Sequence, residues 1–396
     1  MRVLHIIPSI SPLRGGPSQA IMSMVGSLRD QSVDARILTT NDHGSEIQKS
    51  MPLGSWHTRI EGGQEIPVLA FARWNPPIRA LREFCVSNSF IDWITEHSNE
   101  YDLVHVHALF SYTSSMAMAK LRRTGKPYIL RTIGQLNSWS MTQSRIKKQM
   151  FLSLVDRANI LGATALHFTS DFEQSESTQI SGNTYSFVLP LGVNEIHTDE
   201  SAWTSSSMKE QKSETRRLLF LSRLHPKKQL PLLFSALQQL KKDNPGKSWQ
   251  LDIAGEGDPL YLESLQELSK SLGISEHVVW HGHVTGSTKL LLLKQADWFV
   301  LPSLSENFGI SVVEALKSGT PAVLTPGVAV AADVERFGAG YVCQPTIEGL
   351  SVCLERCLDP PDSKMKSAAK KLAEERYSWA SISKQLIIEY ERAIHA

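Results

Sequence analysis

Two glutamates, Glu306 and Glu314, have seven residues between them in the stretch from Pro302 to Leu316. In one continuous helix an offset of eight would turn the two side chains about 80° apart. The spacing instead predicts a loop that carries Glu306, followed by a helix that begins near Phe308–Gly309 and contains Glu314. A helix start favours an anion such as phosphate. Carboxylates beside a phosphate would accept hydrogen bonds from sugar hydroxyls, which predicts a nucleotide-sugar site; a pair of solvated surface glutamates is the alternative.

A second candidate group consists of two cations that follow the apolar run ending at Leu221. Arg223 and Lys228 are five positions apart across a predicted turn, so one loop could bring both onto a diphosphate. A guanidinium and an ammonium would neutralise the charge that grows on a departing phosphate. A solvated basic loop is the alternative. The position after a predicted strand favours the phosphate interpretation.

Three glycine-containing turns also follow predicted strands. Gly15–Ser18 opens the first predicted helix, Gly255–Gly257 makes a tight turn, and Gly282 with Val284 could admit a flat base. Glycine lets a ligand approach the backbone, and a helix start supplies N–H donors. None of the three completes a dinucleotide-binding fingerprint or a P-loop. The sequence contains no Asp-x-Asp pair for a divalent cation, so charge stabilisation is expected from Arg223, Lys228 and helix starts.

Two histidines, His105 and His107, end a predicted strand. Strand alternation places both on one face of the sheet, so a metal pair is one interpretation. No third ligand is evident near them in the sequence. The alternatives are structural histidines with satisfied hydrogen bonds, or a His107 that faces a cleft and bonds a sugar or phosphate oxygen.

The elements that must position these residues form two series of alternating strands and helices. This alternation predicts an α/β protein with two doubly wound, Rossmann-like domains, whose ligands bind beyond the carboxyl ends of the parallel strands in the cleft between two facing sheets. A polar stretch from Gly192 to Glu214 is the predicted linker. We therefore expect domains at residues 1–195 and 196–376. The predicted strands are Val3–Ile7, Arg36–Thr40, Pro67–Ala72, Leu103–Val106, Tyr128–Thr132, Ala165–Thr169, Ser186–Leu189, Arg217–Leu221, Gln250–Ala254, Val278–His281, Trp298–Leu301, Ala322–Thr325 and Tyr341–Cys343.

Composition excludes several classes of protein. Forty-one basic and forty acidic residues leave a formal charge of +1, so no overall field attracts nucleic acid. The four cysteines form no CxxC pair, which argues against a zinc finger or a disulfide framework. No signal peptide or membrane span is evident. We expect a cytoplasmic protein, possibly peripheral at the cytoplasmic membrane face; the oligomeric state cannot be read from the sequence.

Several motifs together resemble the family 4 glycosyltransferases, which have the GT-B fold. They are Ser222–Arg223 with Lys228, Gly255–Gly257, the stretch Pro302–Ala315, and Gly319–Val323. The resemblance covers essentially the whole chain and is strongest from about Leu218 to Val323. It implies a nucleotide-sugar donor held by the second domain, an acceptor bound by the first, retention of anomeric configuration, no metal and no separate cofactor. It also implies that a helix over residues 377–396 returns to the first domain.

The resemblance also implies roles for individual residues. Arg223 and Lys228 would grip the diphosphate, Glu306 would contact the donor sugar, and Glu314 would bond the ribose. Further implied donor contacts come from Gly16, His107, Gly255, Val284, Phe308, Gly309 and Ile310. Two places depart from the family pattern. They are the strand end Arg131–Thr132–Ile133–Gly134, where many relatives have a histidine before the glycine, and Leu191, where an asparagine is common. These departures affect inference about the acceptor and the hinge.

The resulting hypothesis is hexosyl transfer, with retention, from a UDP- or GDP-sugar to a hydroxyl of a glycan, a lipid-linked saccharide or a small molecule, in polysaccharide or glycoconjugate biosynthesis. The acceptor would attack from the face that the diphosphate leaves, or Glu306 would act as a covalent nucleophile. A nucleotide-sugar epimerase and a non-catalytic nucleotide-sugar-binding module are the alternatives. The sequence does not reveal the sugar, the nucleotide, the acceptor or the linkage.

Two groups of basic and large apolar residues in the first domain suggest a possible peripheral membrane contact that would suit a lipid-linked acceptor. A core-packed helix with a solvated basic edge is the alternative for each. The groups comprise Arg73, Arg79 and Arg82 near Trp74 and Phe84, and Arg145, Lys147 and Lys148 beside Met150 and Phe151.

Overall fold

A computed structural model describes residues 1–142, 144–193 and 215–396. It contains two compact units, Met1–Asn194 with Ser378–Ala396, and Glu195–Tyr377. Most of the predicted linker, residues 194–214, lies outside the described residues. No described helix combines the length and the apolar character needed to span a membrane.

The first unit is built on an eight-stranded sheet in the order β10-β9-β8-β7-β1-β2-β6-β5. Its strands are Arg2–Ile6 (β1), Asp34–Thr40 (β2), Trp56–Glu61 (β5), Gln64–Phe71 (β6), Leu103–His107 (β7), Tyr128–Arg131 (β8), Ala165–Phe168 (β9) and Ser186–Val188 (β10), with a small ribbon of Asp42–His43 (β3) and Glu46–Ile47 (β4). Its helices are Gly16–Asp30 (α1), Arg79–Glu83 (α2), Asn88–His97 (α3), Tyr112–Thr124 (α4), Ser138–Thr142 (α5), Arg145–Phe151 (α6), Arg157–Leu161 (α7), Asp171–Ser181 (α8) and Trp379–Ile394 (α16).

The second unit is built on a six-stranded parallel sheet in the order β13-β12-β11-β14-β15-β16. Its strands are Arg216–Leu221 (β11), Trp249–Ala254 (β12), Val278–Gly282 (β13), Trp298–Leu301 (β14), Ala322–Leu324 (β15) and Gly340–Val342 (β16). Its helices are Leu230–Asp243 (α9), Pro259–Ser271 (α10), Gly286–Gln295 (α11), Ile310–Lys317 (α12), Ala331–Phe337 (α13), Ile347–Arg356 (α14) and Ser363–Tyr377 (α15).

Every predicted strand corresponds to an observed strand, with differences of up to three residues at the ends. The reason is that these strands are buried in parallel sheets and appear in sequence as short apolar runs. Three observed strands were not predicted, namely the two-residue strands β3 and β4 and the strand β5, which pairs antiparallel with β6 at the edge of the sheet. The residues of β5 are mostly exposed, so it has no apolar run that would identify it.

Strand alternation divides the central strands of the first sheet into an apolar face and a polar face. Leu4 and Ile6 of β1 join a core cluster with residues of α3, α4 and β7. His5, between them, points the other way and contacts Tyr390 of α16. The sheet is therefore covered on both sides, and its two faces differ in chemistry.

The last helix, α16, packs on the first unit. Ser383 in α16 lies 3.0 Å from the hydroxyl of Ser27 in α1, and Ser378 forms a bridge with Val193. A Cβ on Gly192 would come within 2.4 Å of the Trp379 side chain. The chain thus returns to its first unit after completing the second.

Candidate functional site

The loops that follow β11 and β14 are tied together through one carbonyl in the second unit. Lys227 O accepts hydrogen bonds from Leu304 N at 2.9 Å and from Ser303 Oγ at 3.2 Å. The two strands are neighbours in a parallel sheet, so their carboxyl ends meet at one edge. As a result, the loop that carries Lys228 lies against the loop that carries Glu306.

Lys228 and Glu306 form an ion pair between these loops. The lysine side chain is 10% exposed and the glutamate side chain 22% exposed. Burial, with Lys227 and Arg223 nearby, lowers the pKa of Lys228 to about 7, because removing the ammonium from water disfavours its charged form. Two residues that the sequence analysis assigned to separate parts of a ligand are thus direct partners here.

Arg223 is exposed on the same loop as Lys228. This loop is braced by the glycine turn after β12. Leu224 N donates to Glu256 O at 2.8 Å, and a Cβ on Gly255 would lie 1.9 Å from Ser222 O. The glycine is therefore required for close approach between two protein loops, an explanation that does not involve a ligand.

The helix predicted to contain Glu314 begins at Ile310, as expected from the sequence. Gly309 is its N-cap residue with φ of +89°, in the left-handed region that glycine tolerates. Phe308, just before it, is buried and packs edge-on against Tyr377 at 5.5 Å between ring centroids. Glu314 lies one turn inside the helix and forms an ion pair of 2.5 Å with Lys289 of α11.

Val284 lies in the connection between β13 and α11 and is half-buried.

A hydrogen-bonded group that the sequence analysis did not identify lies at the neighbouring strand β12. Asp252 is buried and accepts from Arg217 Nη2 at 2.9 Å, and His281 Nε2 lies 2.8 Å from its other oxygen. Alternation along β12 could have signalled an inward carboxylate, but its partners come from two other strands.

In the first unit, four histidines form a buried cluster on the polar face of the sheet. The ring atoms His5 Nδ1 and His107 Nε2 are 3.1 Å apart, and His167 Nδ1 lies 3.4 Å from His105 Nε2. His105 Nδ1 lies 2.7 Å from the hydroxyl of Tyr390. All four imidazoles are fully buried.

Burial holds these imidazoles in their neutral form. Desolvation lowers the pKa of His5 and of His167 to about 3, and it lowers the pKa of His105 and of His107 well below the usual value. His107 is fully buried within the cluster. Its role toward a donor sugar stays a prediction.

The cluster supplies the third histidine that the sequence did not reveal. One nitrogen each of His5, His105 and His107 lies within 4.8 Å of the others, close enough for a metal ion. However, the cation Arg131 is also fully buried and adds to the lowering of the pKa of all three. A second cation beside it would be repelled, so the arrangement favours a neutral hydrogen-bonded network.

Two buried carboxylates support the loops after β7 and β8. Glu173 accepts from Gly134 N at 2.5 Å and from the Thr132 hydroxyl at 2.6 Å. Asp156 accepts from Phe110 N at 3.0 Å, and its burial raises its pKa. The supported loops contain left-handed residues outside glycine, Ala108, Phe110 and Ile133. Such strain is concentrated at functional sites. The sequence analysis did not identify these two carboxylates, which bond the strained loops.

The Gly15–Gly16 turn begins α1, as predicted, with Gly15 as N-cap at φ of +83°. Arg14, immediately before it, donates to Asp42 at 2.8 and 2.9 Å. Asp42 is itself fully buried beside Arg73, with 3.0 Å between Asp42 Oδ1 and Arg73 Nε. The turn is thus anchored by a buried carboxylate shared between two arginines, which leaves the role of Gly16 toward a phosphate as a prediction.

Comparison with protein families gives a match for each unit. Residues 203–376 match the model described as glycosyl transferases group 1. Residues 15–191 match the model described as a glycosyl transferase 4-like domain. The two matches do not overlap and together cover most of the chain.

Individual relatives and solved structures agree with this. An uncharacterized glycosyltransferase of Methanocaldococcus jannaschii is 30% identical over 46% of this chain and 46% of its own length, so the match spans about half of that relative. A GDP-mannose:cellobiosyl-diphosphopolyprenol alpha-mannosyltransferase of Komagataeibacter xylinus is 22% identical over 100% of this chain and 94% of its own. The sucrose-phosphate synthase structure from Thermosynechococcus elongatus has a TM-score of 0.77 at 16% identity, covering 100% of this chain and 99% of its own.

Proposed function

We propose that this chain, which belongs to the group 1 glycosyltransferases of the family 4 type with the GT-B fold, catalyses the following reaction. It transfers a hexosyl group from a UDP- or GDP-sugar to a hydroxyl acceptor, with retention of anomeric configuration and without a metal ion. The acceptor is a glycan, a lipid-linked saccharide or a small molecule. The observation that carries this proposal is the ion pair of Lys228 and Glu306 where two strands end.

The ion pair supports a donor site because it keeps a partly exposed cation and carboxylate at one position. A diphosphate would take the Lys228 ammonium as its partner, and Arg223, exposed on the same loop, would supply a second cation. Glu306 would then be free to accept a hydrogen bond from the donor sugar. A charge-stabilising group of this kind is most effective when it is already in place before the reaction.

The chemistry follows from this division of roles. The bond between the anomeric carbon and the diphosphate oxygen breaks, and the electron pair leaves with the diphosphate beside Arg223 and Lys228. The acceptor hydroxyl bonds to the same face of the carbon and passes its proton to a departing phosphate oxygen. Glu306 needs only to bond the sugar, so no covalent intermediate on it is required.

The remaining assignments extend the proposal along the second unit. Glu314 would bond the ribose hydroxyls, exchanging its partner Lys289, with the amides around Phe308, Gly309 and Ile310 beside the sugar and Val284 against the base. Gly255 would support the loop that carries Arg223 and Lys228 through its close approach to Ser222.

The alpha-mannosyltransferase relative takes GDP-mannose according to its name, which makes a GDP-sugar the first donor to test. A thermal-shift screen across UDP, GDP, ADP and their sugars identifies the nucleotide. Incubation of the stabilising sugar with hydroxyl acceptors, followed by NMR of the new glycosidic bond, then tests transfer and retention. An inverted product, or loss of activity on chelation of metal ions, would contradict the proposal; an epimerised sugar formed without acceptor would indicate an epimerase.

A further inference from the structure

The segment from Ser144 to Ala158 in the first unit exposes large apolar side chains. Ile146 is 75% exposed, Met150 57% and Leu154 76%. They are spaced by four residues, so they form one stripe along α6 and the single π-helical turn, Leu152–Asp156, that continues it. A helix on a globular protein ordinarily turns its apolar stripe to the core; this stripe points to solvent.

The inner side of the same segment is already packed. Phe151 meets the ring of Phe84 edge-on at 5.1 Å between centroids, and it lies 6.3 Å from the ring of Phe110. Asp156 is buried and accepts from Phe110 N. The exposed stripe is therefore an additional apolar surface and is not needed to hold the segment in place.

The exposed charges of the segment itself have one sign. Arg145, Lys147 and Arg157 are exposed, while Lys148 is half-buried and donates to Ser140 O at 2.7 Å. The only carboxylate from Ser144 to Ala158 is the buried Asp156. The exposed side of the segment thus combines apolar side chains with cations and has no acidic group to neutralise them.

We propose that this surface, defined by Ile146, Met150 and Leu154 with their flanking cations, docks on an anionic lipid bilayer. The apolar side chains would enter the boundary between headgroups and acyl chains, and the cations would contact the negative headgroups. A bilayer fits better than a protein partner, because side chains that are 57–76% exposed project outward and do not line a groove. The proposal concerns a surface of the first unit and does not rest on the proposed reaction.

The first unit exposes two further large apolar side chains, close to α2 in the chain. Trp74 and Ile78, before α2, are 54% and 59% exposed. The side chain of Arg79, in the first basic group, lies outside the described residues. The buried Arg73 belongs to the Asp42 network and is not part of the surface.

Flotation of the intact protein with vesicles tests the proposal. We expect binding to vesicles of phosphatidylcholine mixed with phosphatidylglycerol and little binding to phosphatidylcholine alone, with binding weakened by added salt. Neutralising one exposed cation, as in Lys147→Gln or Arg157→Gln, should lower the partition constant roughly fivefold.

The apolar contribution is tested with Leu154→Ser and Met150→Ser, each of which should reduce flotation several-fold. Leu260→Ser is the matched control, because Leu260 is also 76% exposed but lies on α10 of the second unit; it should float like the parent protein. Since the three positions are exposed, the variants should keep the parent's thermal midpoint.

Three results would overturn the proposal. They are equal flotation on neutral and anionic vesicles, unchanged flotation of Leu154→Ser and Met150→Ser, and a dimer in light scattering that these two variants convert to monomer. The last result would assign the surface to a second copy of the chain. The salt dependence of the unmodified protein decides the electrostatic part even if a variant folds poorly.

Discussion

The two units use polar residues in and after their parallel strands in opposite ways. In the first unit, His5, His105 and His107 are fully buried and face one another and α16. In the second unit, Lys228 and Glu306 keep part of their surface in water and carry opposite charges. The comparison teaches that one doubly wound plan can close a polar cluster into a neutral internal network or leave it as an oppositely charged pair near the surface.

The largest expected effect is a loss of turnover when a cation of the second unit is removed. Arg223→Ala and Lys228→Ala should each lower the turnover of sugar transfer about 10²–10³-fold, corresponding to about 2.7–4 kcal/mol, because a charge-stabilising group is lost in the transition state. Steady-state kinetics with the identified donor measure this. Lys241→Ala is the control, since Lys241 is a surface cation paired with Glu276. Near-parental turnover in Arg223→Ala would remove that residue from the site.

The next largest effect concerns the stability provided by the neutral histidine network of the first unit. Tyr390→Phe should lower the free energy of unfolding by about 1–3 kcal/mol, because His105 Nδ1 loses its hydroxyl partner inside the protein. Urea unfolding measures the change. Tyr261→Phe removes a hydroxyl that has no hydrogen-bond partner, so it should be nearly neutral. Equal losses in both variants would mean that the histidine network does not hold α16.

The buried histidines should also make the stability of the protein depend on pH. The pKa of His167 falls from 6.5 to about 3 on folding, so the unfolded chain binds the extra proton between these values. Its contribution to stability is complete above pH 6.5 and is lost as the pH falls toward 3. Each such histidine adds roughly 1.4 kcal/mol per pH unit to the slope.

Replacing the histidine should therefore flatten the slope. His167→Phe should reduce it by roughly 1.4 kcal/mol per pH unit, measured as the free energy of urea unfolding at several pH values in this window. His395→Gln, which removes an exposed imidazole, is the control. A slope that does not change in His167→Phe would show that this imidazole is already protonated in the native protein.

The smallest effect is expected from Glu314→Gln. Glu314 and Lys289 are 21% and 29% exposed, and partly exposed ion pairs contribute about 0–1 kcal/mol to stability. The free energy of unfolding should therefore change by no more than about 1 kcal/mol. A loss as large as that expected for Tyr390→Phe would make this pair a structural element and weaken its assignment to the ribose.

Much of the fold and part of the site follow from local patterns. The helix start at Ile310 and the place of Glu306 before it were predicted from their spacing and from the glycine at position 309. The Gly15–Gly16 helix start was predicted in the same way. In contrast, β5 was missed because it pairs antiparallel at an edge and has no buried apolar run.

The contacts between distant residues could not be predicted in this way. His5 and His107 are 102 positions apart, and Lys228 and Glu306 are 78 apart. The supporting carboxylates Asp156 and Glu173 lie on helical segments with no motif around them. Nothing in a residue's neighbours along the chain specifies which strand will lie beside it in a sheet.

The sequence by itself determined the two series of parallel strands, the loops at their carboxyl ends and the residue types that those loops carry. These follow from periodicity and from backbone preferences, which act over a few residues. Only the tertiary structure decided that Lys228 pairs with Glu306, that Arg131 lies among four neutral histidines, and that the Ile146 stripe remains uncovered. Burial and partner choice are properties of the assembled sheets, because they depend on which elements become neighbours.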